Sequence, residues 1–143
     1  MILESWQFWA VLAAVFAALT AIFAKIGVEN INPDFATLIR TAIILVVLAT
    51  VLAATRQFVP LGQISARTWV FLTLSALATG ASWICYFRAL QMGQAGQVAP
   101  IDKLSVVFVA IFAVLFLKEK LSVTNWLGIT LIAVGAVLAA IKS

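Results

Sequence analysis

Chemistry needs side chains that ionise, ligate or attack, and this sequence carries few. It has no histidine and one cysteine, Cys85. Neither an internal disulfide nor a zinc or copper site can be built from such a set. No nucleophile–base pair stands out, so no enzyme, cofactor or metal is expected. Attention falls instead on the few charges lying inside long apolar runs: Arg40, Arg88, Asp102 and Lys103. A charge in such a run has to face protein or a water-filled cavity. Asp102, read as the one acid inside a run, is either a substrate- or ion-binding carboxylate at a cavity mouth or a salt-bridge partner of Arg40 or Arg88. The two arginines either serve a ligand or snorkel to an interface. Trp83 and Tyr86 are three apart and share a helix face. They suit an aromatic wall, able to hold a cation over a ring, or ordinary packing. Gln91, Gln94 and Gln97 read as loop and cap residues, and Cys85 as a small packing residue.

The elements that carry these residues follow from composition. Of the 143 residues, 65% are hydrophobic and 10% charged, against about 25% charged in ordinary soluble domains. A chain this poor in polar groups cannot cover a soluble globule, so lipid must be its solvent. The net charge of +4 comes without a basic stripe or nucleic-acid motif and reads as basic residues at helix ends. Crossing the bilayer takes roughly 20 apolar residues. Five runs qualify, over residues 6–26, 35–54, 69–92, 98–117 and 123–141. They are too long and too continuous for barrel strands. The first is read as a retained helix rather than a signal peptide, because Met1 to Trp9 carries Glu4 and no basic residue. Turn chemistry separates the runs: Asn30, Asn32 and Pro33; Pro60 and Gly62; Gly93 and Gly96; and Lys118, Glu119 and Lys120 before Ser122, a candidate N-cap. Trp6, Trp9, Trp69 and Trp126 sit at span starts as interfacial anchors, whereas Trp83 lies deep in the third span.

The fourth run is the informative one. Only Leu104 to Leu117 is free of charge and proline, and 14 residues reach about 21 Å, too short to cross. The helix must begin before Lys103, which carries Pro100, Asp102 and Lys103 below the bilayer surface, with Pro100 as a kink or hinge. Glu119 is expected to steady the turn before the fifth helix. Basic residues divide four against five between the two sides, Arg56, Arg67, Lys118 and Lys120 opposing Lys25, Arg40, Arg88, Lys103 and Lys142. That gives a weak preference for a cytoplasmic N-terminus or insertion both ways. Many transporters are two inverted repeats around a midplane site, and five spans make one such repeat. Two oppositely inserted copies would complete a ten-helix assembly; a parallel dimer or a monomer is the other possibility. Gly128 and Gly135, seven apart with Ala139 beyond, offer a face of small residues for close helix approach, within the chain or between copies.

The stretch from Trp83 to Leu138 resembles the EamA-like domain of the drug/metabolite transporter superfamily. Tyr86-Phe87-Arg88-Ala89-Leu90 leads into Ala99-Pro100 as in the family's aromatic–Ala–Leu pattern before a proline-bearing fourth helix. Leu117-Lys118-Glu119-Lys120-Leu121 places Glu119 at its Glu-x-Leu turn, and Leu127-Gly128-Ile129 through Gly135 is similar to its last helix. The resemblance implies an all-α integral membrane protein of the inner membrane, its five helices one half of a ten-helix bundle. It implies transport of small metabolites or drug-like solutes, export above all, by alternating access in a homodimer. It also implies a cavity lined largely by spans one, three and four. The similar four-helix multidrug exporters carry an essential carboxylate in their first helix. Alignment on Lys25 puts Ala17 there, and no acid lies in the first three spans as drawn. Substrate-binding candidates are Trp83, Tyr86, Arg88, Asp102, Lys103 and Arg40; Pro100, Glu119, Gly128 and Gly135 are the structural ones. Other functions open to such a chain are a lipid or lipid-precursor flippase subunit and a non-transporting membrane partner of a larger paralogue.

Overall fold

A computed structural model describes residues 5–141 of the chain; Glu4 and Lys142, which entered the signal-peptide and topology readings, lie outside them. The described residues form helices and no strand. In order these are α1 (Trp6–Gly27), α2 (Pro33–Ala54), a single 3-10 turn (Leu61–Gln63), α3 (Ala66–Met92), α4 (Ala95–Asp102), α5 (Ser105–Phe116) and α6 (Val123–Ala140). With α4 and α5 counted as one 22-residue stretch, five helical segments are long and apolar enough to cross a membrane. The chain divides into two compact units: Ala24–Gln91, and the described residues up to Phe23 together with those from Met92 onward.

In the first unit the helix starts are set by capping rather than by apolarity. Asn32 caps α2, its side-chain oxygen accepting from the Asp34 and Phe35 amides at 2.9 and 3.1 Å. Pro33 opens the helix and Asp34 sits in its first turn. A missing N–H costs nothing at N1, and a carboxylate suits the positive end of the helix dipole. The second helix therefore starts two residues before Phe35, and Asp34 lies within it. This corrects the expectation that the first three spans hold no acid. Ser65 likewise accepts from the Thr68 amide at 3.1 Å, and α3 starts at Ala66 rather than Trp69. The C-terminus of α2 closes with bonds from the Arg56 amide to the Ala53 carbonyl and from the Gln57 amide to the Leu52 carbonyl. This is the Schellman arrangement, with Arg56 in the left-handed position glycine usually takes, at φ 54°.

The ends of α1 and α3 are clamped to one another. The Lys25 ammonium donates to the Leu90 carbonyl at 2.7 Å. The Gln91 amide donates to the Val28 and Ile31 carbonyls, both at 3.2 Å. The carbonyls so capped have no intrahelical partner. Around this junction Leu90, Val28, Phe87 and Ala24 are buried, and they form the unit's small core.

In the second unit α4 and α5 both pack against α6. Small residues set this contact: Ala110, Ala113 and Ala136 are the buried side chains of α5 and α6, which lets backbones approach closely where lipid supplies no hydrophobic drive. Ser122 caps α6, accepting from the Asn125 amide at 3.2 Å. The large apolar residues of α5 and α6, such as Phe116 and Leu131, are mostly exposed, as lipid-facing surface must be.

The fourth span starts at Ala95, three residues before Val98, and it is not one rod. After Asp102 the backbone tightens: the amides of Lys103, Leu104, Val106 and Val107 each reach a carbonyl three residues back at 3.0 Å. That 3-10 pattern separates α4 from α5. The break comes three residues after Pro100, which lies inside α4. Proline withholds its N–H from the Gly96 carbonyl and crowds the preceding turn, so it loosens the start of α4, while the 3-10 turn follows it and the helix re-forms at Ser105.

Candidate functional site

The first unit contains a groove of about 600 Å³ between α2 and α3. Its α2 wall is the face bearing Asp34, Thr37 and Thr41, spaced so that they stack along one side of the helix. On α3 the wall runs from Leu72 through Ser75, Thr79 and Gly80 to Trp83, again a single helical face. Leu38 and Ile84 add apolar surface. The result is a mostly apolar slot with a sparse row of hydroxyls, the usual composition of a small-molecule site.

The hydroxyls have a defined polarity. Thr37 donates to the Pro33 carbonyl at 2.8 Å, and Thr41 to the Thr37 carbonyl at 2.7 Å. Each oxygen has thus spent its proton on its own helix and keeps acceptor capacity. These two would receive hydrogen bonds from a solute rather than give them.

At the groove's end Asp34 is paired with Arg88. The arginine's Nε donates to Oδ1 at 3.0 Å and its Nη2 to Oδ2 at 2.5 Å. This is the two-pronged fit that a planar guanidinium makes with a carboxylate. Asp34 lies one residue inside α2 and Arg88 four residues from the end of α3, so the pair sits near the ends of both helices.

Deeper in, Arg40 is about 10 Å along α2 from Pro33. Its guanidinium carbon stands 4.2 Å from the centroid of Trp83 and 5.5 Å from that of Phe87. No described residue of this unit gives Arg40 a hydrogen bond or a carboxylate, and its Nη1 is buried without a partner. The depth of Trp83, which interfacial anchoring does not explain, is thereby accounted for: the ring supports a protein cation, and its cation seat is already taken. Tyr86 is partly buried on the same helix.

The second unit holds the other candidates. Asp102 meets Lys103, its neighbour in sequence, at 3.4 Å. In the other unit Arg88 is taken by Asp34, and Arg40 stands against aromatic rings. Asp102 and Lys103 flank the break between α4 and α5, about 11 Å from the start of α4. Glu119 closes the end of α5 through its backbone, its amide donating to the Ala113 carbonyl at 3.1 Å. Lys118 beside it takes the left-handed conformation at φ 56°. A Cβ built on Gly128 or on Gly135 would meet nothing within 4 Å, so the glycine face of α6 is open. Gln91 caps the α1 end, and Gln94 stands at the N-cap of α4 without a side-chain bond. Among the described residues no cluster of potential metal ligands occurs.

Sequence reasoning missed Asp34, Thr37, Thr41, Ser75 and Thr79. A signal was there: Thr37/Thr41 and Ser75/Thr79 are hydroxyl pairs four apart in otherwise apolar runs, and each pair marks one helix face.

Comparison with known proteins agrees with this architecture. The model of the EamA-like transporter family matches residues 4–141. An uncharacterised transporter encoded in the cobO 3' region of Sinorhizobium sp is 64% identical over 138 residues, 96% of this chain and 98% of that protein. An uncharacterised protein of Methanocaldococcus jannaschii is 26% identical over 132 residues, 92% of this chain and 93% of its own length. No solved structure matches. Five apolar helices, a largely apolar groove with a row of hydroxyls between two of them and a family match over nearly the whole chain converge: the chain belongs to the EamA-like transporter family and is a multi-pass membrane transporter.

Proposed function

We propose that the chain is a secondary transporter that exports small organic solutes across the inner membrane by alternating access, with two copies joined into a ten-helix homodimer. The observation that carries this reading is the groove between α2 and α3. It is large enough for a small metabolite, it is lined by hydroxyl acceptors, and it lies in helices long enough to span the bilayer. The open glycine face of α6 supports the dimer, since close-approach surfaces of this kind are what membrane helices use to associate. The break at Lys103–Leu104 supplies an element able to bend as access alternates.

The test is solute flux in proteoliposomes with the groove filled from inside. Gly80 lines the groove and has open space at its Cβ position, so Gly80→Leu occupies the slot without a clash in the helix. Flux should fall at least tenfold while helical content and elution volume are retained. Unchanged flux would remove the groove from the pathway. Inhibition by phospholipid headgroups but by no soluble metabolite would shift the reading to a flippase.

A further inference from the structure

Among the described residues of its own unit, Arg40 has no counter-charge. Asp34, the acid nearest to it along α2, is held at both oxygens by Arg88. The cluster of Asp34, Arg88 and Arg40 therefore keeps one net positive charge within the span of two membrane helices. Ionisable residues at such depth are costly and, left unpaired, mark a functional site. The guanidinium is not loose, because Trp83 and Phe87 hold it by their rings. Nη1 is closed off without a partner, while the side chain as a whole is only partly buried, which leaves the rest of the donor fork open to an incoming acceptor. An arginine pre-oriented on aromatic rings, with unmet donors and one uncompensated charge, has the properties of a seat for a monoanion. Carboxylate geometry fits a planar fork best. Trp83 joins this seat to the groove, since it both lines the groove and carries Arg40.

We propose that Arg40 is the anion seat of this transporter: the solute carries a carboxylate that docks on the open edge of the Arg40 guanidinium, with Trp83 and Phe87 as its platform. The inference rests on the groove being the transport site, and it narrows the solute to small organic monoanions.

The full chain is placed in nanodiscs of phosphatidylcholine and titrated with three ring-matched probes, benzoate, benzamide and benzylamine. Benzoate should bind about tenfold or more tighter than the other two, the range expected for a charge-assisted hydrogen bond. Arg40→Gln should erase that preference. Arg40→Lys, which keeps the charge but not the planar fork, should retain part of it and serves if the glutamine variant does not fold. Trp83→Leu, which leaves the charge and removes the platform, should weaken benzoate by a larger factor than benzamide. Equal binding of the three probes, or a benzoate preference that survives Arg40→Gln, overturns the proposal. Phosphatidylglycerol added to the discs distinguishes the source of the anion: unchanged benzoate affinity supports a soluble carboxylate, and competition assigns the seat to a lipid headgroup and overturns it. Failure of the transport reading looks different. Groove-dependent flux of neutral or cationic solutes with no benzoate preference sinks the anion seat alone. Benzoate binding at Arg40 without flux of any solute sinks the transport reading and leaves the seat.

Discussion

Replacing Lys25 with methionine should loosen the α1–α3 junction by about 2 kcal/mol. The Lys25 ammonium donates to the Leu90 carbonyl at 2.7 Å, and Leu90 is 0% exposed. That carbonyl belongs to the last turn of α3, where no amide of the helix can reach it. A hydrogen bond from a charged donor contributes about 1.5–3 kcal/mol, and a cation at a helix C-terminus about 0.3–1 kcal/mol. The two descriptions overlap, so about 2 kcal/mol is the working value, roughly a thirtyfold change in the folding constant. Methionine keeps the length and apolar stem of lysine, so the loss isolates the ammonium. The assay is equilibrium unfolding in mixed micelles of mild detergent and dodecyl sulfate, followed by far-ultraviolet circular dichroism. Gln91→Leu removes the reciprocal bonds to Val28 and Ile31 and should cost about 1–2 kcal/mol. Because both side chains grip one junction, the double variant should lose at least about 0.5 kcal/mol less than the separate losses combined. A Lys25→Met cost below about 0.5 kcal/mol, or strict additivity, would refute the clamp.

Three other outcomes follow from the same structure. A Cβ at Gly135 meets no atom within 4 Å, so Gly135→Leu should leave helical content intact and shift the proposed homodimer toward monomer in light scattering; an unchanged elution would remove this face from that interface. Arg56→Gly relieves a left-handed residue and should stabilise the chain by about 1 kcal/mol in the same unfolding assay. Pro100→Ala adds an amide within reach of the Gly96 carbonyl, so that amide should be protected from hydrogen exchange, and flux should slow as α4 stiffens.

The spans were legible because lipid demands long apolar runs, and no competing signal interrupts them from Leu104 to Leu117 or from Ile43 to Ala54. Their starts were harder to read. Drawing the second span from Phe35 leaves Asp34 outside it, yet Asn32, Pro33 and Asp34 together are a cap, an N1 proline and a first-turn acid. The candidate site was legible in its parts and not in its pairings. Arg40, Arg88 and Trp83 stand out as polar or aromatic residues in apolar company. Which partner each one meets depends on helix rotation and register, and those place Asp34 against Arg88 and turn Arg40 onto Trp83. The threonines of the groove carried little weight in the sequence, since a hydroxyl can satisfy itself on its own helix, as Thr37 and Thr41 do.

The cation standing over Trp83 also gives the protein an optical readout of its own. An indole with a fixed positive charge near its face emits at a different wavelength and yield from one without it. The other four of the five tryptophans, Trp6, Trp9, Trp69 and Trp126, lie at span starts. Converting those four to phenylalanine would leave Trp83 as the sole emitter, a label-free reporter of whether Arg40 rests on its ring or has turned away.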